Sequence, residues 1–112
     1  MLNYMQPIIQ NNREKIVELC KKHHVKTLYV FGSAATDNFS ENSDIDFLYK
    51  IDIDNFPGWD SGTYDYTDNL LSLEKELTHL FNRKIDLVPD IIIPNKYFRM
   101  SIDKSKQMIY AA

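Results

Sequence analysis

Apolar residues recur at helical spacing in two segments of the chain. The first segment predicts an amphipathic helix from about Pro7 to Lys22, with charged residues between its apolar positions. The second, roughly Thr63 to Phe81, is the more regular, because its apolar residues are mostly three or four positions apart. These residues are Tyr66, Leu70, Leu73, Leu77, Leu80 and Phe81.

Shorter apolar runs between and after these helices are typical of β-strands. "KTLYVF", "DIDFLYKI" and "KIDLVP" predict three strands, "NKYFRMSIDKS" a short helix and "QMIYA" a final short strand. The order α-β-β-α-β-α-β predicts an α+β domain with a small mixed β-sheet and helices packed on one face. We expect a single domain over residues 1–112, with the other sheet face free to carry chemistry.

Composition narrows the class of protein. The net charge of −3 argues against a protein that binds nucleic acid directly through bulk attraction to phosphates. The single cysteine, Cys20, excludes an intramolecular disulfide and falls on the apolar face of the first helix, which favours core packing. The sequence contains neither a signal-like segment nor an apolar run long enough to span a bilayer. We therefore expect a soluble cytoplasmic domain with no membrane partner.

Two aspartates interrupt the second predicted strand. Alternation along a strand places Asp44 and Asp46 on the same face, where their like charges repel. A divalent cation would remove that repulsion, and carboxylate oxygens suit Mg²⁺ or Mn²⁺. Asp86, inside the third strand, would converge on the pair if the two strands are neighbours. Three such carboxylates could hold two metal ions for phosphoryl transfer.

An Asp-x-Asp triplet by itself is weak evidence for a metal site. The chain contains a second one, Asp52-Ile53-Asp54, where the strand gives way to a loop and aspartates commonly serve turns. We interpret this second triplet as structural or solvated. The first triplet needs support from elsewhere in the chain.

That support comes from a turn at Gly32-Ser33. Gly32 ends the first strand and lets a bulky anion approach the backbone, and Ser33 adds a hydroxyl and an N–H. If a short helix begins here, its free N–H groups favour phosphate; the alternative is that Ser33 is only a helix N-cap. Ten residues, 34–43, separate this turn from Asp44. A phosphate-binding turn and a carboxylate pair thus belong to adjacent strands.

With these motifs the sequence resembles the DNA polymerase beta-like nucleotidyltransferase superfamily, and above all its minimal nucleotidyltransferases, which consist of the catalytic palm. The resemblance is carried by "LYVFGSAA", "SDIDFLY", "KIDLV" and the tail "NKYFRMSIDKSKQMIY". It implies that Gly32 and Ser33 contact a nucleoside triphosphate and that Asp44 and Asp46 bind two Mg²⁺ ions. It also implies that Asp86 binds the metal that activates the attacking hydroxyl.

The resemblance further implies a function. Members of the superfamily attack the α-phosphate of a nucleoside triphosphate and release pyrophosphate. Minimal members are often antitoxins of HEPN ribonuclease toxins, and some transfer AMP from ATP to a toxin tyrosine. We therefore expect transfer of AMP to a hydroxyl of a HEPN-type partner protein. The aromatic loop "NFPGWDSGTYDY" would either contact that partner or fold back over the core.

Two alternatives stay open. Where the family frequently has Arg-Gly, this chain has Thr36-Asp37, so a positive charge facing the phosphates is missing. The chain would then be a weakly catalytic antitoxin that acts by occlusion, unless one of Lys50, Arg83, Lys84 and Lys104 compensates rather than being a solvated surface charge. The second alternative is nucleotide transfer to a small molecule. The sequence leaves the oligomeric state open.

Overall fold

The computed structural model describes residues 6–36, 39–58, 66–91 and 93–112. Within these ranges the helices are α1 Pro7–Gln10, α2 Arg13–Lys22, α3 Tyr66–Phe81 and α4 Lys96–Ser105. The strands are β1 Val25–Phe31, β2 Ile45–Ile51, β3 Ile85–Pro89 and β4 Gln107–Ala111. Short 3-10 turns follow β1 at Gly32–Ala35 and β2 at Ile53–Asn55.

The strands form one mixed sheet in the order β3-β2-β1-β4. Strand β1 pairs antiparallel with β2 and with β4, whereas β2 pairs parallel with β3. The parallel pair needs a crossover, and α3 provides it between β2 and β3. The predicted α+β fold with a small mixed sheet is confirmed.

One face of the sheet forms the main core with the first three helices. Ile45, Phe47 and Tyr49 alternate along β2 toward this face and are buried. They pack in one cluster with Leu73, Leu77 and Phe81 of α3 and with Ile9, Ile16 and Cys20 from the two N-terminal helices. The core role predicted for Cys20 is confirmed, and burial raises the pKa of its thiol to about 12.

The opposite face is covered by α4 over part of its area. Ile102 of α4 is buried in a second cluster with Phe31 and Leu48, and the ring of Phe98 meets that of Phe31 edge-on at 6.3 Å. The helices are therefore not all on one face, because the apolar side of α4 needs a sheet surface of its own. At the N-terminal end of β2, this face carries carboxylates instead of apolar side chains.

The predicted N-terminal helix is interrupted at Asn11-Asn12. The side-chain amide of Asn12 donates to the carbonyl of Ile8 at 2.8 Å, and the backbone leaves helical geometry before α2 begins. This competition between an asparagine side chain and the helix ladder is common. The apolar positions on both sides of the break still face the same core.

The aromatic loop is described only in part. Phe56 is buried and packs against His24, with ring centroids 5.3 Å apart, so this residue follows the fold-back alternative. Trp59 and Tyr64 lie outside the described residues. Among the helices in the described ranges, none has the length and apolar character needed to cross a membrane.

We expect the Phe47→Ala variant to lose about 3–5 kcal/mol of unfolding free energy, because a fully buried aromatic ring in the main core leaves a cavity. The matched control is Lys50→Ala on the exposed side of the same strand, which should change stability by less than about 0.5 kcal/mol. Urea unfolding measures both. Equal, small effects would contradict the assignment of the core face.

Candidate active site

Strand pairing brings two of the three predicted aspartates side by side. Asp46 and Asp86 are register partners in the parallel β2–β3 pair, and their side chains share a hydrogen bond. Asp44 directly precedes β2, two residues from Asp46, and is close enough to affect its titration. The structure therefore brings Asp86 beside Asp46, and the charge of Asp44 reaches Asp46 from two residues away.

The electrostatic environment of Asp46 disfavours its charged form. Burial raises the pKa of Asp46 from 3.8 to about 6, together with the hydrogen bond that protonated Asp46 donates to Asp86 and the nearby charges of Asp86 and Asp44. The positive charge of Lys84 opposes this shift. A cation bound beside Asp46 would therefore stabilise its charged form.

Asp44 faces a positive side chain. The Lys84 ammonium lies 3.8 Å from Asp44 Oδ2, and both side chains are substantially exposed. In the part of the chain that the structure describes, no group of three His, Cys, Asp or Glu side chains forms a preformed metal cage. The donor set nevertheless fits Mg²⁺ in its chemistry, because carboxylates are hard oxygen ligands and the positive charge of Lys84 offsets only part of the repulsion at Asp46.

The Gly32 turn lies directly against the carboxylates. Phe31 is the register partner of Asp46 across the antiparallel β1–β2 pair, so the next residue, Gly32, passes beside the Asp46 side chain. Gly32 has φ +71°, and a Cβ atom placed there would lie 2.6 Å from Asp46 Oδ2. The glycine is therefore required both by its backbone conformation and by the closeness of Asp46. A short 3-10 helix, the possibility that the sequence left open, begins here at Gly32, and Ser33 lies within it rather than at its N-cap, which is Phe31.

The segment that leads from this turn to Asp44 is anchored by Arg83. Its Nη1 atom donates to the carbonyls of Ser40 and Ser43, both at 3.0 Å, and its guanidinium lies 4.5 Å from the centre of the Phe39 ring. Sequence reasoning considered Arg83 a phosphate-facing or solvated charge. The structure instead uses it to hold the chain just before the first aspartate.

The remaining positive and negative candidates are peripheral. Lys50 and Lys104 are exposed. In the second Asp-x-Asp triplet, Asp52 accepts a hydrogen bond from the Asn55 side chain at 3.0 Å and Asp54 is exposed. The interpretation of that triplet as a turn element agrees with these contacts.

One contact at the site has no signal in the sequence. The Gly32 N–H donates to the Ser105 hydroxyl at 3.1 Å, across 73 positions of the chain. Ser105 is the last residue of α4, so this helix reaches the turn from the second face of the sheet. Local patterns could not reveal the contact, because it depends on how α4 packs.

A family model described as polymerase beta nucleotidyltransferase matches residues 14–112. The chain belongs to this nucleotidyltransferase family. The predicted enzyme class is thereby confirmed, and the paired strands β2 and β3 lie within the matched region.

Two sequence relatives show which nucleotidyltransferases the chain is similar to. Two candidate protein adenylyltransferases of Methanocaldococcus jannaschii are similar to this nucleotidyltransferase. One is 32% identical over 83 residues, which is 74% of this chain and 75% of the relative. The other is 30% identical over 108 residues, or 92% of each chain.

Solved structures share the fold at lower identity. A minimal nucleotidyltransferase superposes with a TM-score of 0.65 at 22% identity, covering 88% of this chain and 90% of that one. A chain of a toxin–antitoxin complex with AMP-PNP gives 0.63 at 19% identity, covering 90% and 74%. A chain of the Shewanella oneidensis complex of a tri-AMPylated HEPN toxin with its MNT antitoxin gives 0.58 at 18%, covering 92% and 72%. The predicted palm-like fold is confirmed by these likenesses.

We expect Gly32→Ala to destabilise the nucleotidyltransferase by more than the ~1–2 kcal/mol that the left-handed conformation alone costs, because the new Cβ also collides with Asp46. Gly58→Ala is the matched control, since Gly58 has φ +83°. In an Asp46→Ala background the excess cost of Gly32→Ala should disappear, as a double-mutant cycle measured by urea unfolding would show. An excess that persists there would exclude the steric explanation.

The raised pKa of Asp46 predicts a pH dependence of stability. The folded state keeps the Asp46 proton up to about pH 6 while the unfolded chain releases it near 3.8, so this contribution to stability is present below pH 4 and lost between pH 4 and 6. Asp46→Asn should therefore match the wild type near pH 4 and exceed its unfolding free energy by about 1–2 kcal/mol at pH 7.5.

Urea unfolding in EDTA at both pH values measures this difference. Asp54→Asn, at an exposed position of the second triplet, is the control and should follow the wild type at both pH values. If Asp46→Asn brings no gain at pH 7.5, Asp46 is not held in an unfavourable charged state.

Proposed function

We propose that this chain is a Mg²⁺-dependent protein adenylyltransferase that transfers AMP from ATP to a hydroxyl of a HEPN-type ribonuclease toxin and thereby acts as its antitoxin. The observation that carries the proposal is the position of Asp46, which lies between its register partner Asp86 and the Gly32 turn, with Asp44 two residues before it. This arrangement combines carboxylates for cations with a backbone turn for the triphosphate.

In this proposal the three aspartates divide the work of holding two Mg²⁺ ions, or Mn²⁺ in their place. Asp44 and Asp46 would hold both ions, and Asp86 would hold the one that activates the attacking hydroxyl. The metal would supply charge neutralisation at the α-phosphate and lower the pKa of that hydroxyl. The weak, exposed contact of Asp44 with Lys84 would cost little to break.

The remaining residues orient the reactants. Gly32 and Ser33 contact the triphosphate at the turn beside Asp46, and Ser33 offers its hydroxyl and N–H to the phosphate oxygens. Asp86 accepts the proton of the acceptor hydroxyl. The acceptor oxygen forms a bond to the α-phosphorus, the bond from the α-phosphorus to the bridging oxygen breaks, and pyrophosphate leaves with that oxygen.

Two kinds of observation support a protein acceptor. Similar chains are candidate protein adenylyltransferases, and chains with this fold occur in toxin–antitoxin complexes, one of which contains an AMPylated HEPN toxin. In addition, α4 exposes large apolar side chains: Tyr97, Phe98 and Met100. Phe98 also contacts Phe31, the residue before Gly32. Exposed apolar residues that lie together on a surface are typical of protein contacts.

The test offers the chain a HEPN-type protein as acceptor and measures transfer of radioactive label to it. With Mg²⁺, ATP labelled at the α-phosphate should mark the partner, and ATP labelled at the γ-phosphate should not. The Asp44→Asn, Asp46→Asn double variant should lose at least about 100-fold in rate, because the metal ligands are gone. The Asp52→Asn, Asp54→Asn double variant is the matched control from the second triplet and should keep full activity.

One alternative is an antitoxin that acts by occlusion. It is favoured by the lack of a positive charge at Thr36 and by the pairing of Asp44 with the positive side chain of Lys84. Thr36, where the family frequently has arginine, is bonded to the Ser33 carbonyl at 3.1 Å and supplies no positive charge. Occlusion predicts that the aspartate double variant still neutralises the toxin and that no label is transferred. Label transfer that persists in this double variant would overturn the proposed site.

A further inference from the structure

The Gly32 turn is held from outside the strand pair by one hydroxyl group. Ser105 Oγ accepts the Gly32 N–H at 3.1 Å and donates to the Ser101 carbonyl at 3.3 Å. The first distance is usual for an N–H donor, and the second is longer than an ordinary bond from a hydroxyl donor. The Ser105 side chain thus links the last turn of α4 to the first residue after β1.

Helix α4 is itself fixed on the sheet. Its buried Ile102 packs with Phe31 and Leu48. Phe31 is the residue of β1 just before the turn, and Leu48 follows Asp46 by two residues on β2. Near its other end the Arg99 guanidinium contacts Asp90 at 2.8 Å, just after β3. The helix is therefore held against β1 and β2 and against the residue that follows β3. These contacts give Ser105 a fixed position relative to the carboxylates.

The turn needs such support because of its glycine. A glycine at φ +71° has no side chain to restrict it and can adopt other backbone conformations easily. Its N–H gives a neighbour a group through which to hold the peptide plane that enters the turn. Ser33 follows this plane by one residue.

We propose that Ser105 is a positioning residue for the triphosphate turn. Its hydroxyl holds the Gly32 N–H, keeps Gly32 in its left-handed conformation against Asp46, and so presents Ser33 to the phosphates. This inference rests on the proposed function and deepens it, since it assigns α4 a part in nucleotide binding. Ser105 itself does not touch the nucleotide.

The first experiment observes the turn without nucleotide. The sequence contains three glycines, so ¹⁵N-glycine labelling gives three backbone amide signals, and the Gly32 signal is the one missing from Gly32→Ala. In Ser105→Ala the Gly32 amide should exchange with solvent at least about threefold faster, as expected for loss of one hydrogen bond, and the other glycines should not change. Ser105→Thr keeps the hydroxyl and should restore slow exchange.

The second experiment measures binding of Mg²⁺-ATP by calorimetry, without any acceptor. Loss of the hydrogen bond should weaken binding roughly three- to tenfold in Ser105→Ala, with the same rise in KM for ATP. Ser105→Thr should bind as the wild type does. Ser101→Ala is the matched control on the same helix, because Ser101 contributes only its backbone carbonyl to the contact.

The outcomes separate this inference from the proposed function. Wild-type binding of Mg²⁺-ATP together with unchanged exchange or unchanged affinity in Ser105→Ala overturns the positioning role and leaves the proposed function standing. Equal weakening by Ser101→Ala would also overturn it, since general damage to α4 would then be the cause. If the wild type does not bind Mg²⁺-ATP, the proposed function fails, and the positioning role fails with it.

Discussion

The site depends on the lateral pairing of Asp46 with a neighbour on each side. Across the antiparallel pair its partner is Phe31, which puts Gly32 against its carboxyl group, and across the parallel pair its partner is Asp86. Because side chains alternate along a strand, a slip of β2 by one residue would turn Asp46 into the core and Phe47 into the site. The register of one central strand thus decides whether the carboxylates and the turn meet.

That register is secured by packing on both faces of the sheet. Phe47 and its neighbours on β2 fill the main core, where α3 covers them, while Leu48 is buried on the opposite face under α4. Burial of the apolar residues on either side of Asp46 stabilises this strand, and that stabilisation offsets the unfavourable environment of the carboxyl group. The carboxylates lie at one end of the second face, and α4 does not cover that end.

For the nucleotidyltransferase, the same geometry links stability and chemistry. Burial and mutual repulsion raise the pKa of Asp46, so the folded chain holds a carboxylate that a cation would relieve. Gly32 lies directly against that carboxylate, and Ser105 and Arg83 fix the two segments that flank it. In the proposed function, these contacts prepare the site before nucleotide and partner arrive.

Local patterns in the sequence were sufficient for the elements and for much of the candidate site. Periodicity predicted the helices and strands because burial of one face imposes a repeat of 3.6 or 2 residues, and spacing singled out Gly32, Ser33, Asp44, Asp46 and Asp86. The tertiary structure decided the rest: the break at Asn12, the placement of α4 on the second face, the use of Arg83 on the loop carbonyls and the contact of Ser105 with Gly32. These features join residues whose side chains have several acceptable partners, and only the packing of distant segments selects among them.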